Sequence, residues 1–205
     1  MSAKGRDRKQ KKLAFAEGDN PNEFYRTPAW AVRAVLPLLG EPRTTVDLGC
    51  GDGAIGTVLR QKWRDRVTID AFELDSKRAL AATHAQIDGL PVYDDVLEDD
   101  LLKLDPADYA GNDLIISNPP YSHAEAFARV ALQLVRPGGI VAFLLRLAFI
   151  EGQKRAAFHR EHPSDIHVLS TRPSFNGMGT DSAAYAWFIW GLGCGGRWSL
   201  LEGAP

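Results

Sequence analysis

Short apolar runs alternate with longer amphipathic stretches through most of the chain. Runs rich in β-branched and other apolar residues, which predict strands, cover 44–48, 67–74, 91–93, 113–117, 140–145, 166–170 and 184–190. Stretches with apolar residues at helical spacing cover 29–39, 54–63, 76–86, 123–135 and 153–159. Strands that alternate with helices of this length need crossover connections. The pattern therefore predicts an α/β fold with a mostly parallel sheet and helices on both of its faces.

The final strand breaks this alternation. Residues 166–170 and 184–190 have no helix between them that is long enough for a crossover, so the last strand is expected to run antiparallel. Within that strand, Trp187 and Trp190 are three positions apart and point to opposite faces of the sheet. We expect one of the two to face solvent or a substrate.

No internal repeat or change of composition interrupts the chain, which predicts a single domain. We place that domain at 21–192, between a basic flexible tail at 1–20 and a glycine-rich, loose C-terminal end at 193–205. The first 12 residues carry six basic side chains and one acidic one, although the whole chain has a net charge of −2. Such a tail either attracts phosphates without sequence preference or serves only as a solvated end.

Several kinds of function find no support in the sequence. No apolar run is long enough for a membrane span, and the basic N-terminal stretch lacks an apolar signal-peptide core, so we predict a cytoplasmic protein without a membrane partner. Cys50 and Cys194 lack the spacing of a zinc or redox site. His159 and His162 share a helical face but have no third ligand at a useful spacing, so no metal site is predicted.

A strand that runs into a glycine turn forms the first candidate site. Residues 46–53 read Val-Asp-Leu-Gly-Cys-Gly-Asp-Gly, and such glycines let the backbone approach a nucleotide-like ligand beside free helix N–H groups. Gly51, Gly53 and Gly56 also satisfy the dinucleotide pattern, with Glu73 twenty residues after Gly53 as a ribose-binding acid. The glycines alone leave two cofactors open, a nicotinamide dinucleotide and S-adenosylmethionine.

Two further acids favour S-adenosylmethionine. Asp47 lies inside the strand before the glycines, where a nicotinamide fold normally has an apolar residue and where a carboxylate can hold the ammonium group of this cofactor. Asp95 is expected to follow the third strand, where it can accept a hydrogen bond from the adenine amino group of the cofactor. The alternative for Asp95 is a solvated turn residue.

The segment Asn118-Pro119-Pro120-Tyr121 follows an apolar strand, at the edge where open α/β sheets bind ligands. The lone pair of a planar amino group is delocalised, so an enzyme that methylates this nitrogen has to localise it. Two acceptors aimed at the amino hydrogens do so, with most effect in the transition state, where the nitrogen becomes positive. We assign these roles to the Asn118 side-chain oxygen and the Pro119 carbonyl oxygen.

The other features of this segment support the assignment. Pro119 and Pro120 have a fixed φ and no N–H, and Asn118 is kept out of the helical region because it precedes a proline. Tyr121 offers an aromatic face on which a planar target can stack, a contact worth roughly 1–3 kcal/mol for a base. An ordinary strand-to-loop turn is the alternative for these residues. No metal or strong base is needed, since a sulfonium is a good leaving group.

With these motifs the chain resembles the class I S-adenosylmethionine-dependent methyltransferases in their amino-methylating branch. It is most similar to small phage- or prophage-type adenine-specific DNA methyltransferases, from Tyr25 to Trp190. The resemblance implies a Rossmann-like domain with a seven-stranded sheet whose last strand is antiparallel. It also implies these roles: Thr27 and Pro28 at the methionine end of the cofactor, Asp47, Gly49 and Gly51 in its loop, Glu73 at its ribose, Asp95 at its adenine, Asn118 beside it, and Asn118, Pro119, Pro120 and Tyr121 as the catalytic tetrapeptide.

The same resemblance places the loop between the last two strands toward the target. It implies that Phe175 packs on a flipped-out base; an aromatic ring that closes the sheet edge is the alternative. DNA methyltransferases of this branch often have a separate target-recognition domain, for which this chain has no room. Recognition is therefore expected to come from loops or from a partner.

These observations favour methyl transfer to the exocyclic amino group of adenine in DNA, with nucleic acid as the partner. Adenine in RNA and the side chain of a protein glutamine remain alternatives, because the tetrapeptide suits any planar amino group. Two other classes also stay open. A nicotinamide-dependent oxidoreductase would leave residues 118–121 unexplained, and an inactive cofactor-binding module would keep the fold without the reaction.

Overall fold

The computed structural model describes residues 24–175, 181–191 and 193–203 of the 205-residue chain. Its helices are α1 (Ala29–Val35), α2 (Ala54–Trp63), α3 (Ser76–Thr83), α4 (Ala124–Leu134) and α5 (Gln153–Glu161). Its strands are β1 (Thr44–Leu48), β2 (Thr68–Glu73), β3 (Gln86–Ile87), β4 (Leu90–Pro91), β5 (Asp95–Glu98), β6 (Asn112–Ser117), β7 (Val135–Arg146), β8 (Asp165–Leu169), β9 (Tyr185–Gly191) and β10 (Trp198–Leu201). None of the described helices has the length and apolarity that crossing a membrane requires.

Eight strands form one sheet in the order β10-β8-β9-β7-β6-β1-β2-β5, and β3 pairs with β4 in a separate hairpin. Neighbouring strands of the large sheet are parallel except at β9, which runs antiparallel to β7 and β8. The predicted α/β class and the antiparallel strand are therefore confirmed. The predicted count of seven strands was wrong, because β10 follows β9 and adds an eighth.

The strand order reverses where β1 pairs with β6. The chain continues from β1 to β2 on one side, whereas β6 and β7 lie on the other. The register from Thr45–Leu114 to Asp47–Ile116 places the carboxyl ends of β1 and β6 next to each other. Open α/β sheets bind ligands at such a reversal.

Helices cover both faces of the sheet, so central strands are buried on both sides. In β9, six consecutive residues are buried, as expected for a doubly covered strand. On one face Trp187 donates its Nε1 hydrogen to the Ala31 carbonyl oxygen at 2.9 Å; on the other Trp190 donates to the His162 carbonyl oxygen at 3.0 Å. The expectation that one of these tryptophans faces solvent or substrate was therefore wrong.

The third strand of the parallel sheet begins later than its pattern predicts. The apolar residues at 91–93 indicate a strand there, whereas β5 at Asp95–Glu98 is the strand that pairs with β2. Tyr93 is buried, and its hydroxyl bonds to Asp47 of β1. Because β5 is an edge strand, its ends are charged and exposed, and it lacks the apolar pattern of a central strand.

The C-terminal segment is held in the sheet instead of being loose. β10 pairs in parallel with β8 along its whole length. Asp165, which is 3% exposed, accepts hydrogen bonds from the backbone N–H groups of Gly195 and Arg197, both at 3.0 Å, and from the Arg197 guanidinium. One buried carboxylate thus anchors the glycine-rich turn that leads into β10.

We expect Asp165→Ala to lower the free energy of unfolding by about 2 kcal/mol, because the partly buried N–H groups of Gly195 and Arg197 lose their acceptor. The matched control Arg197→Ala is expected to cost clearly less, since that side chain is 73% exposed and exposed ion pairs contribute little. Equilibrium urea unfolding measures both losses. Equal losses would show that the ion pair, and not the backbone contacts, anchors β10.

Candidate active site

A cavity of about 260 Å³ opens at the carboxyl ends of β1, β2 and β6. Its wall combines the segment before α1, the turn after β1, the end of β2, the residues after β5 and the residues after β6. Of the site residues predicted from sequence, those that line it are Thr27, Gly49, Glu73, Asn118, Pro119 and Pro120. Those outside its lining are Pro28, Asp47, Gly51, Asp95, Tyr121 and Phe175.

The turn after β1 uses left-handed backbone at three glycines. Gly49, Gly51 and Gly53 have φ values of +68°, +60° and +86°, which residues with side chains rarely adopt. A Cβ atom on Gly51 would lie 2.4 Å from the Phe24 ring, so this glycine also makes room for the segment before α1. Gly53 directly precedes α2, whose first residue, Ala54, lies in the cavity wall.

Glu73, the last residue of β2, holds this turn in place. Its Oε2 accepts a hydrogen bond from the Gly51 backbone N–H at 2.8 Å, and its Oε1 accepts one from the Asp75 backbone N–H at 2.9 Å. Arg78 adds an ion pair, with its Nη2 3.1 Å from Oε1. The Glu73 carboxylate therefore stabilises the turn and forms part of the cavity wall.

Asp47 is fully buried within β1, outside the lining of the cavity. Its Oδ2 accepts a hydrogen bond from the Tyr93 hydroxyl at 2.7 Å, while its Oδ1 has no partner among the described residues. Burial raises the pKa of Asp47 to about 7, although the bond from Tyr93 acts in the opposite direction. The Tyr93 ring fits here because Gly56 has no side chain: a Cβ atom there would lie 2.4 Å from that ring.

Asp52, in the turn, presents a second carboxylate oxygen that lacks a donor. Its Oδ2 forms an ion pair with the Arg26 Nε at 2.6 Å, whereas its Oδ1 has no partner within the described part of the chain. Unlike Asp47, Asp52 lines the cavity. The Asp52 carboxylate therefore has hydrogen-bonding capacity, next to the cavity, that the described residues do not use.

Asp95 begins β5 instead of following it. It pairs with Asp70 of β2, toward the amino ends of the strands, and is exposed. The prediction that Asp95 follows the third strand was wrong, because that strand begins later than its pattern indicates. The acids that do follow β5 are Asp99 and Asp100, and both line the cavity.

The Asn118 side chain is oriented by three hydrogen bonds. Its Nδ2 donates to the Tyr25 carbonyl oxygen and to Thr27 Oγ1, each at 3.0 Å. Its Oδ1 accepts from the Tyr121 hydroxyl at 3.0 Å. Thr27 is a buried acceptor for Asn118, and Pro28 occupies the N-cap position of α1.

Four aromatic rings pack beside Asn118; we call Tyr25, Tyr121, Phe175 and Tyr185 the aromatic cluster. Tyr25 stacks on Tyr121, with ring centroids 5.3 Å apart and an interplanar angle of 19°. Phe175 lies 5.4 Å from Tyr25 and 5.1 Å from Tyr185. The structure therefore brings the predicted substrate residues Tyr121 and Phe175 into one cluster.

Sequence reasoning misses two members of this cluster. The sequence assigns neither a role at the site: Tyr25 is only the first residue of the resemblance, and Tyr185 lies within the last predicted strand. Burial raises the pKa of the Tyr121 and Tyr185 hydroxyls, which keeps both protonated as hydrogen-bond donors near neutral pH. Tyr25 stands two residues before Thr27, which the resemblance places at the cofactor. This closeness in sequence is a signal that could have indicated the position of Tyr25 near the site.

Metal-ligating side chains do not gather in the described part of the chain: no group of three or more such residues occurs there. His159 Nε2 lies 2.9 Å from the Phe149 carbonyl oxygen and packs against Phe149 and Phe158. The absence of a metal from the chemistry stays a prediction.

Comparison with known proteins places this site in a family context. The methyltransferase small domain family matches residues 31–141. A tRNA1(Val) (adenine(37)-N6)-methyltransferase of Citrobacter koseri is 41% identical over 97 residues, which cover 45% of this chain and 36% of that protein. A protein of the same name from Photorhabdus laumondii is 34% identical over 128 residues, or 55% of this chain and 50% of that protein. The chain thus spans 36% to 50% of the length of these relatives.

A solved structure has a similar architecture. A predicted O-methyltransferase from Agrobacterium tumefaciens superposes with a TM-score of 0.63 over 85% of both chains, at 19% identity. At this identity the likeness shows the fold alone.

The buried carboxyl group of Asp47 gives stability a defined pH dependence. Because its pKa rises from 3.8 to about 7 on folding, the folded state binds the proton more tightly than the unfolded chain. Ionisation then lowers the stability progressively between these two values. We expect the melting temperature of Asp47→Asn, relative to that of the unchanged chain, to rise across this window and to level off above it. Melting curves from about pH 5 to about pH 8 measure the difference. A difference that does not depend on pH would show that Asp47 keeps an ordinary pKa in the folded protein.

Proposed function

Because the chain belongs to the methyltransferase small domain family, we propose that it transfers a methyl group from S-adenosyl-L-methionine to the exocyclic amino group of adenine in RNA. S-adenosyl-L-methionine is the cofactor of this family and fold. The observation that carries the proposal is the oriented amide of Asn118. It lies at the carboxyl end of β6, between the cavity and the aromatic cluster.

RNA replaces DNA as the favoured substrate. The sequence pattern favours adenine in DNA and a phage-type enzyme, but the comparisons support neither. The curated relatives are named as methyltransferases of adenine N6 in a tRNA. The amino group is the same in both nucleic acids, so the chemistry inferred for residues 118–121 is unchanged while the partner becomes RNA.

The cavity has the groups that this cofactor needs. The ammonium of its amino-acid part supplies donors, and we assign it to Asp52, whose side chain lines the wall and has one oxygen without a donor among the described residues. We assign the ribose hydroxyls to Glu73, as the sequence suggests, and the adenine amino group to Asp99. Asp52 and Asp99 take the roles expected of Asp47 and Asp95, neither of which lines the cavity.

The cofactor supplies a methyl group on a sulfonium, which is a good leaving group. Asn118 Oδ1 accepts one hydrogen of the target amino group, and the Pro119 carbonyl oxygen accepts the other. These contacts strengthen as the nitrogen becomes positive, which lowers the barrier. A carbonyl oxygen has two lone pairs, so Asn118 Oδ1 can bind the target while Tyr121 remains its donor. The surplus proton on nitrogen then passes to water.

The aromatic cluster is the proposed site for the adenine ring. Tyr121 is next to the amide of Asn118, and stacking of a base on such a ring contributes roughly 1–3 kcal/mol. An adenine in a loop reaches this position more easily than one in a duplex, because removing a base from a duplex costs a few kcal/mol. Unpaired adenines in RNA are therefore the favoured targets.

Transfer of radiolabelled methyl to a panel of substrates tests the function. The panel contains unmodified tRNA, single-stranded RNA, duplex DNA and protein extract, and mass spectrometry identifies the product. We expect N6-methyladenine in RNA. Label in DNA or on protein glutamine would overturn the RNA assignment. Melting curves with added ligands test the cofactor. A rise in melting temperature with a nicotinamide dinucleotide instead of S-adenosylmethionine would contradict the cofactor assignment. A rise with S-adenosylmethionine but no transferred label would indicate an inactive binding module.

Asn118→Ala tests the catalytic amide. Loss of one preorganised hydrogen-bonding group of this kind costs on the order of 100-fold to 1,000-fold in kcat, and we expect a loss of that size with little change in cofactor affinity. The matched control is Asn112→Ala at the opposite end of β6, where the amide donates to the Tyr109 carbonyl oxygen; its kcat should be close to that of the unchanged chain. Calorimetry measures cofactor binding. An equal loss of cofactor binding and turnover would contradict the assigned role.

A further inference from the structure

Beyond the residues so far assigned, we propose that Arg146 binds a phosphate of the RNA strand next to the target adenine. This inference rests on the proposed function and names a second part of the same substrate site. Arg146 is the last residue of β7, at the same edge of the sheet as the tetrapeptide, and it does not line the cofactor cavity. It therefore has no place in the cofactor contacts.

The guanidinium of Arg146 packs over the ring of Tyr121, a member of the aromatic cluster that is the proposed base site. Its Cζ is 5.1 Å from the centroid of the Tyr121 ring. The side chain is 43% exposed, so a strand that approaches from solvent can reach it. In a nucleotide the sugar links the base to its phosphate, so a cationic group at the border of the base site can reach that phosphate.

Arg146 is not closely neutralised by its neighbours. Its Nε donates to the neutral Tyr185 hydroxyl at 3.2 Å, while its Nη2 is 3.7 Å from Asp181 Oδ2. At the opposite end of β7, Arg136 forms a much closer ion pair with Asp113. The two arginines share a strand and a similar exposure, but Arg146 keeps the outer part of its guanidinium without a close acceptor among the described residues. The outer N–H groups of a guanidinium form a planar fork that matches the geometry of a phosphate.

Tyr185 and Asp181 hold the guanidinium in this position. Tyr185 is fully buried, and its hydroxyl donates to Asp181 Oδ2 at 2.8 Å while accepting from Arg146. The Arg146 head group is thus supported through one of its three nitrogens before any ligand arrives. A site that is ordered in advance loses less entropy on binding.

The competing explanation is that Arg146 only supports the Tyr121 ring through a cation–π contact. The two explanations predict different effects on binding when a phosphate of the RNA loses its charge. The probe is a short fluorescein-labelled single-stranded RNA that contains one adenine. In two further versions, one of the two linkages that flank this adenine is a neutral methylphosphonate. Binding is measured by anisotropy without cofactor, so that it does not depend on methyl transfer.

We expect Arg146→Gln to weaken binding of the unmodified RNA by about tenfold or more, as for loss of a hydrogen-bonded charge. The slope of log affinity against log salt should fall by about one. One of the two RNA versions with a neutral linkage should bind the unchanged protein more weakly, to a similar extent. The same version should show no further loss of affinity with Arg146→Gln. The control Arg136→Gln should bind the unmodified RNA as the unchanged protein does. Arg146→Lys, which keeps the charge without the fork, should retain most of the salt slope with a smaller loss of affinity.

Several results would overturn the inference. One is binding of the RNA by Arg146→Gln that is as tight as binding by Arg136→Gln. Another is a loss of affinity in Arg146→Gln that multiplies with the loss from each neutral linkage, which would indicate support of Tyr121 alone. Melting curves show whether Arg146→Gln folds; if it does not, the Arg146→Lys result decides. Failure of the proposed function is separate, since it appears as unchanged protein that yields no N6-methyladenine in RNA, whatever the binding data show.

Discussion

The pairing of β1 with β6 is the contact on which the rest of the site depends. Because these strands are parallel and adjacent, the glycine turn after Leu48 and the tetrapeptide after Ser117 leave the sheet at the same edge. Ser117 Oγ also donates to the Leu48 carbonyl oxygen, which joins the two ends directly. In the proposed function, this pairing brings a cofactor on the turn close to an amino group at the amide of Asn118.

The segment before α1 closes this arrangement from the other side. Phe24 packs against the glycine turn, and Arg26 forms an ion pair with Asp52. The Tyr25 carbonyl and the Thr27 hydroxyl take the amide hydrogens of Asn118, so the amide cannot turn over without losing both bonds. One short segment therefore contacts both the glycine turn and the tetrapeptide, so the position of Asn118 depends on the position of the turn.

Sequence reasoning works here where a local rule decides the outcome. The central strands are apolar because they are buried on both faces, and the glycines stand where the backbone is left-handed, so both are visible in the chain itself. It fails where a distant contact decides. The exposed edge strand β5 has no apolar pattern, so the position predicted for Asp95 after the third strand was wrong. β10 is held by the carboxylate of Asp165, about 30 residues earlier in the chain. Only the fold brings Tyr25 and Arg146 to Tyr121.

The contacts of the tetrapeptide also bear on where affinity for the substrate arises. In the free protein, Asn118 Oδ1 already accepts a hydrogen bond from the Tyr121 hydroxyl, and the Tyr121 ring already stacks with Tyr25. In the proposed function, an adenine meets an amide that Tyr121 already orients and continues to bind, and a Tyr121 ring that already contacts Tyr25. The gain from base stacking is then partly offset by the contacts that the free protein already has. The base contacts then serve mainly orientation and the transition state. In the proposed function, further affinity comes from a charged group that is held loosely in the free protein, and the outer guanidinium of Arg146, whose Nη2 lies 3.7 Å from Asp181 Oδ2, is such a group.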